Sequence, residues 1–134
     1  VFITDRESLQ RLSSSKKHGS AFLAKAPMGI CICARPEVSD VWIEDCSLAA
    51  WTLQITAERF GLGSCWIQIR ERIDNQGNSA EDIVKGILNI PEPMRVSAIL
   101  AIGFPAEKKA PHDATSLCWN NVHIQQYGNT LEIS

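Results

Sequence analysis

Two glycines one residue apart, Gly61 and Gly63, raise the first chemical question of this sequence. Paired glycines can form a loop whose N–H groups bind a nucleotide phosphate, but such a loop follows a strand and opens a helix. Here the glycines follow a long apolar stretch with the pattern of a helix, where the free backbone groups are carbonyls. On local sequence alone, Gly61 is predicted to end a helix and Gly63 to form a tight turn.

The cysteines form no metal-binding or disulfide pattern. There are five of them, with no Cys-x-x-Cys pair: Cys31, Cys33, Cys46, Cys65 and Cys118. Cys31 and Cys33 would need two further soft ligands at suitable spacing to bind zinc, and the three histidines are scattered. We therefore predict no metal site and a set of buried, reduced thiols, as in cytoplasmic proteins.

Charge and hydropathy argue against nucleic acid and membrane as partners. Lys and Arg total 13 and Asp and Glu total 15, for a formal net charge of -2, and no basic stripe occurs. The longest apolar stretch contains Glu44 and Asp45, which disfavours a transmembrane helix. No secretory signal sequence is visible. The chain is predicted to form one cytoplasmic domain over residues 1–134.

Periodicity predicts an alternation of strands and helices. Strands are predicted at 1–4, 28–34, 63–69 and 95–104, and helices at 6–17, 21–26 and 41–60. A further helix is predicted to follow Ser79, to run through Ile83, Val84, Ile87 and Leu88, and to stop before Pro91. Asp5 and Ser79 are expected to cap the helices that follow them, and Ser39 or Asp40 the long one. The tail over 119–134 has isolated apolar residues and is expected to lie across another surface, which the sequence does not identify.

The helix at 41–60 is the longest predicted element. Apolar residues occur on almost every face of it: Ile43, Leu48, Ala50, Trp51, Leu53, Ile55 and Ala57. A helix of this kind is buried on most sides. It is therefore expected either at the centre of the domain or against a second subunit.

Several segments together resemble the FMN-dependent nitroreductase family. They are, in order, VFITDRE at the start, WIEDCSLAAWTLQITAERFGLGSCWI, ILNIPEPM, AILAIGFPAEKKAP and LCWNNVHIQQYG. No single motif is specific, but their order and spacing are, and they cover nearly the whole chain.

The resemblance implies a fold, a cofactor and an activity. The fold is α+β, an α/β/α sandwich around a mixed, mainly antiparallel sheet, with a long central helix through which two subunits form a homodimer. FMN lies between the subunits. NAD(P)H delivers hydride to the flavin, which then reduces nitroaromatics, quinones or similar small-molecule electron acceptors. No protein side chain is expected to be catalytic, because the cofactor carries the chemistry.

The same resemblance places residues at the flavin. Trp66, Ile67 and Gln68 would lie beside the isoalloxazine ring, flanked by Cys65 and Ile69, and a backbone N–H there would bond the ring near N5. Family members often carry Gly or Glu-Gly at the positions of Gln68 and Ile69, so the amide that bonds the ring is left open. Without the resemblance, Trp66 would be interpreted as a core aromatic residue.

Two further features concern the FMN phosphate: a basic stretch that is present and two family motifs that do not occur. Lys108 and Lys109 match the family's basic residues after a Gly-aromatic-Pro motif and are expected to approach the FMN phosphate. A solvated loop is the equally weighted alternative for them. The family's N-terminal Arg-Ser-x-Arg and Pro-Ser-x-x-Asn stretches do not occur, so the sequence is expected to lack that part of the site.

Two other functional classes remain open at this stage. One is a non-catalytic flavin-binding or interaction protein of the same fold, and the other is a structural fragment that binds nothing. A flavin spectrum together with NAD(P)H oxidation separates them from the oxidoreductase.

Overall fold

The computed structural model describes residues 1–130, which contain one sheet of four strands. The strands are β1 (Phe2–Ile3), β2 (Met28–Ala34), β3 (Gly63–Gln68) and β4 (Arg95–Gly103), and the α-helices are α1 (Arg6–Leu12), α2 (Trp42–Arg59) and α3 (Ala80–Leu88). Short 3-10 helices form at Ala21–Lys25, Ala114–Ser116 and Trp119–Asn121. The strand order is β1-β2-β4-β3, so β1 and β3 are the edges of the described sheet.

The helices cover the sheet on both faces, which makes three layers. Leu9 and Leu12 of α1 and Val84 of α3 pack with Ile67 and Ile99 on one face. Cys46, Ala50 and Ala57 of α2 pack with Ile30, Ile32, Leu100 and Ile102 on the other. Alternate residues of each strand therefore belong to different cores, which explains why β2 and β4 are apolar at nearly every position.

The α+β class predicted from the sequence is confirmed. Every pairing among residues 1–130 is antiparallel: β1 with β2, β2 with β4, and β3 with β4. The parallel component of the expected mixed sheet does not occur in this part of the chain. In the register of β3 with β4, Gly63 faces Gly103 and Gln68 faces Ala98, so the start of β3 lies beside the end of β4.

Gly61 ends α2, as its sequence position predicts. Its φ is +71°, in the left-handed region that glycine tolerates best. The N–H of Gly61 donates to the Glu58 carbonyl at 2.9 Å, and the N–H of Leu62 donates to the Ala57 carbonyl at 3.0 Å. This pair of bonds is a Schellman cap, which satisfies helix carbonyls. The glycine pair is thus a helix stop and leaves no free N–H cluster for a phosphate.

Two of the predicted N-caps form and the third does not. The Asp5 carboxylate accepts from the N–H of Ser8 at 2.8 Å, and the Ser79 hydroxyl accepts from the N–H of Asp82 at 3.2 Å. The prediction that Ser39 or Asp40 caps α2 is wrong. Val41 occupies the cap position without a side-chain bond, and the Ser39 hydroxyl instead donates to the Asp45 carboxylate at 2.7 Å.

Within the single chain, α2 is an outer layer rather than a central helix. Leu48, Trp51 and Ile55 lie on the side away from the sheet and are exposed, Trp51 by 62%. We call these three residues the α2 patch. Of the two placements expected for this helix, the structure excludes the centre of a single chain and leaves the contact with a second subunit as a prediction.

The segment that follows β4 leaves the body of the domain. Almost every residue from 104 to 130 is exposed, including Phe104 at 82% and Tyr127 at 94%. It therefore does not lie across the described body of its own chain, and the surface that the tail is expected to cross stays a prediction. The part of that prediction over residues 131–134 lies outside the described residues. No helix within residues 1–130 is long and apolar enough to cross a membrane.

Candidate functional site

The site is built around the open edge of β3. Ile69, just after the strand, donates its N–H to the Ser97 carbonyl at 3.2 Å, toward β4. In an antiparallel pair the backbone groups of successive residues point alternately toward and away from the partner strand. Ile67 and Cys65 therefore direct their N–H groups to β4, whereas Gln68 and Trp66 direct theirs to the open edge. The edge presents a short row of outward N–H groups to any ligand beside it.

Side-chain and loop contacts hold Gln68 firmly in this row. Its amide oxygen accepts from the Trp66 indole N–H at 3.0 Å, and its amide nitrogen donates to the Arg70 carbonyl at 3.1 Å. Its backbone carbonyl accepts from the ammonium of Lys16 at 3.2 Å. The position of the outward N–H of Gln68 is thus fixed by three contacts, two of them local and one from a distant loop.

A cavity of about 700 Å³ opens at the start of β3, between α2 and the segment after β4. Residues 63–65 form its floor, and Trp51, Ile55 and Leu62 give it an apolar wall. A second cavity of about 510 Å³ adjoins it and shares the same floor. A cavity of this size with an apolar wall and a few polar groups is typical of a small-molecule or cofactor site.

The end of β4 approaches the start of β2 very closely beside this cavity. A Cβ on Gly103 would lie 2.7 Å from the Pro27 side chain, which rules out a larger residue without a backbone shift. The chain then turns at Phe104 and Pro105, and Pro105 lines both cavities. This turn carries the basic segment back toward β3.

The two predicted phosphate-binding lysines differ in position. Lys109 lines the larger cavity, together with Ser64 and Glu107, and pairs with the Glu107 carboxylate at 3.3 Å. Lys108 is exposed and is not among the residues that line either cavity. Their role in phosphate binding stays a prediction, which the position of Lys109 supports more than that of Lys108.

The five predicted flavin-edge residues also fall into different environments. Cys65 is exposed and lines both cavities, while Trp66 and Gln68 are half-buried on the side of α2. Ile67 and Ile69 are fully buried, and the Ile69 N–H is already bonded to Ser97. Their contact with flavin stays a prediction, and the geometry favours the backbone of Gln68 and Trp66 over that of Ile69.

Lys16 is the functional candidate that sequence reasoning missed. It lies in the turn after α1, and the Lys17 N–H donates to the Ile73 carbonyl at 2.9 Å, which ties this turn to the loop after β3. Lys16 and Gln68 are 52 residues apart, so no local periodicity relates them. The only signal in the sequence was a Lys-Lys pair in a serine-rich stretch, which is also typical of a solvated loop.

The cysteines are all free, but the prediction that they are buried holds only for Cys31 and Cys46, since Cys33 is half-buried and Cys65 and Cys118 are exposed. Burial raises the pKa of the Cys31 thiol to about 12. Such a thiol stays protonated at neutral pH and is a poor nucleophile and metal ligand. Among residues 1–130, no cluster of three or more His, Cys, Asp or Glu side chains is placed to hold a metal.

Residues 2–104 match the Nitroreductase family, and this range spans all four strands and all three α-helices. The chain belongs to the nitroreductase family. A solved FMN-dependent nitroreductase from Clostridium difficile R20291 is 38% identical, with a TM-score of 0.91 over 95% of this chain and 74% of that one. The resemblance to the nitroreductase family that was predicted from the sequence is therefore confirmed.

More distant relatives agree with this assignment. A protein of Archaeoglobus fulgidus with the provisional name NADH dehydrogenase/NAD(P)H nitroreductase is 29% identical over 118 residues, which are 85% of this chain and 64% of the relative. The chain thus spans somewhat less than two thirds of the length of that relative. The fold is also that of an NADPH:FMN oxidoreductase from Vibrio harveyi solved with NAD⁺, at 20% identity and a TM-score of 0.66.

Proposed function

We propose that this nitroreductase-family chain acts as an FMN-dependent oxidoreductase. Hydride would pass from NAD(P)H to the flavin and then to a nitroaromatic, quinone or similar small-molecule acceptor. Family membership and the similarity to an FMN-dependent nitroreductase support this proposal. So does the absence of a hydrolytic triad or paired-carboxylate site in the sequence, since a bound flavin would supply the redox chemistry itself.

The open edge of β3 is the observation that carries the proposal. It leads from a cavity at its start, lined by Lys109 together with Glu58 and Glu107, to the outward N–H of Gln68 at its end. FMN has a phosphate at one end and a flat ring with acceptor atoms at the other. The ring end fits the outward N–H groups of Gln68 and Trp66, which would bond it. Lys109 would approach the phosphate once it is released from its ion pair with Glu107.

The chain's own residues have limited tasks in this scheme. The edge amides orient the ring, and the apolar wall formed by Trp51, Ile55 and Leu62 keeps water from one side of the site. Preorganised N–H groups in such a site stabilise charge that develops on a bound ligand, because they need no reorientation. The half-buried contacts of Gln68 with Lys16, Trp66 and Arg70 provide this preorganisation.

Substitution of Gln68 tests the proposed edge. Gln68→Pro removes the outward N–H and leaves the bonds to β4 in place, because proline is tolerated on edge strands where its nitrogen faces outward. We expect FMN to bind roughly 5- to 150-fold more weakly, the cost of one lost hydrogen bond to a buried partner. The measurement is FMN titration of purified protein, with circular dichroism to verify folding.

Gln68→Ala is the matched control for this experiment. It removes the same side-chain contacts with Trp66 and Arg70 but keeps the backbone N–H, so FMN affinity should stay within a few-fold of the parent. Ile69→Pro is unsuitable as a probe, because it breaks the bond to Ser97 that holds β3 to β4. Equal FMN affinity of Gln68→Pro and Gln68→Ala would refute the assignment of the β3 edge to the flavin.

We also propose that the active form is a cytoplasmic homodimer. The α2 patch is apolar, exposed and next to the larger cavity, since Trp51 and Ile55 belong to both. A second copy packed there would cover the patch and close the cavity from the open side. The non-catalytic alternative predicts the same fold and flavin binding without NAD(P)H oxidation.

A further inference from the structure

Lys16 occupies an unusual place for a surface-loop lysine. Its ammonium reaches the carbonyl of Gln68 at 3.2 Å from a turn that begins after α1. The side chain is half-buried, while that of Lys17 beside it is exposed. A contact across 52 residues of chain needs a loop held in a fixed position, and the bond from the Lys17 N–H to Ile73 supplies one anchor.

The bond to Gln68 brings a positive charge to the predicted flavin edge. In an extended strand the N–H and C=O of one residue point to the same side. The Gln68 carbonyl that Lys16 holds therefore faces the same open edge as the Gln68 N–H. A ligand atom bonded to that N–H would lie within a few ångströms of the ammonium, where a charge acts most strongly.

The charges around Lys16 favour a ligand that carries or gains negative charge beside its ammonium. Burial lowers the pKa of the Lys16 ammonium, and repulsion from Arg72 lowers it further. Arg70 and Arg72 both bond to Glu71, through its carboxylate and its carbonyl. Lys16 forms no ion pair among the described residues, so a ligand that gains negative charge would relieve the cost of its burial.

We propose that Lys16 is a positioning and charge-compensating residue of this site, which holds the Gln68 peptide on the open edge and favours the reduced form of a bound flavin. The inference rests on the proposed function. A hydride would bring two electrons and one proton to a bound ring, which would become more negative by one charge unless it took up a second proton. The Lys16 ammonium beside the ring would stabilise that charge and so raise the reduction potential of bound FMN.

The test is the reduction potential of FMN bound to Lys16 variants, measured by equilibration with a reference dye under anaerobic conditions. Lys16→Met removes both charge and hydrogen bond, and Lys16→Gln removes the charge but keeps a donor. We expect both to favour reduced flavin about tenfold less than the parent, which is about 30 mV for a two-electron couple. Lys16→Arg keeps the charge and should stay within about 10 mV, a roughly twofold change.

Lys17→Met is the matched control, because it removes a neighbouring positive charge that is exposed. It should shift the potential by less than about 10 mV. An unchanged potential in Lys16→Met and Lys16→Gln, or an equal shift in Lys17→Met, would overturn the inference and leave the proposed function intact. Failure of the parent protein to bind FMN at all would instead contradict the proposed function and this inference with it.

Discussion

At the residue scale, the best-buried charge in the described structure joins α3 to β4. The Glu81 carboxylate accepts from Arg95 at 2.7 and 2.9 Å and from the N–H of Val96 at 2.8 Å. The Arg95 guanidinium lies 5.8 Å from the centre of the Trp42 ring, so α2 is also in contact with this group. Burial alone would raise the pKa of Glu81, but the bonds to Arg95 and Val96 outweigh it and lower the pKa below 4.5.

Glu81→Gln should therefore destabilise the protein in a pH-dependent way. We expect the free energy of unfolding to fall by about 2 kcal/mol at neutral pH, as for a buried charge-assisted hydrogen bond. Because the pKa of Glu81 is lower in the folded state, its contribution is present above the unfolded pKa and is lost as pH falls below it. The difference between parent and variant should then shrink on acidification, as measured by urea denaturation at neutral and acid pH.

Glu92→Gln provides the comparison for this prediction. Glu92 pairs with Lys85, but its side chain is 79% exposed, and exposed pairs contribute about 0–1 kcal/mol. If Glu81→Gln loses no more stability at neutral pH than Glu92→Gln does, the buried carboxylate does not hold α3 to β4 as described.

Individual residues were predicted well where the signal was local. Gly61, Asp5 and Ser79 act within a few residues of their own positions, and their roles as helix stop and caps could be predicted from spacing. Lys16 and Glu81 could not, because their partners lie far along the chain. The flavin-edge segment was assigned by resemblance, and only the ladder with β4 distinguishes outward from inward amides.

At the scale of elements, α2 exposes the large apolar side chains of the α2 patch on the side away from the sheet. Substitution of Trp51 by Asp places a charge in the centre of the α2 patch, which would be costly to bury in an interface. We expect Trp51→Asp to be monomeric or aggregated where the parent is a dimer, as measured by size-exclusion chromatography with light scattering.

Ala49→Asp is the control on the same helix. Ala49 is exposed but lies on a different face from Leu48, Trp51 and Ile55, so an added carboxylate there should leave the dimer intact. An unchanged dimer in Trp51→Asp would show that the α2 patch is not the contact between subunits and that its apolar residues have another role.

The elements themselves followed the sequence closely. The strand at 28–34 has the predicted bounds, and those of β3, β4 and α2 differ by only one residue at one or both ends. The first helix is shorter than its pattern suggested, because Ser13–Ser15 continue it only as turns. The layer position of α2 could not be predicted, since a helix that is apolar all round fits a domain centre and a subunit contact equally well.

At the scale of the whole molecule, the packed sheet differs from the region that contains the cavity, the α2 patch and the exposed segment after β4. The residues of the sheet and of its two cores all lie within 2–104, the range that matches the family. The site is more open, because its apolar wall and Lys109 face outward. A second subunit packed on the α2 patch is proposed to close the site from its open side. The residues of the site come from distant parts of the chain, so sequence periodicity alone could not define it.

Anaerobic absorbance spectroscopy is the most direct test that this chain acts as an FMN-dependent oxidoreductase. Purified protein is supplied with FMN, freed of unbound cofactor, and mixed with NADH or NADPH in the absence of oxygen. We predict a yellow protein whose visible flavin absorbance is bleached by at least one of the two nucleotides and returns when a quinone or nitroaromatic acceptor is added. If the protein retains FMN but neither nucleotide changes the flavin spectrum, the proposed oxidoreductase activity is contradicted. That result would favour a non-catalytic flavin-binding protein.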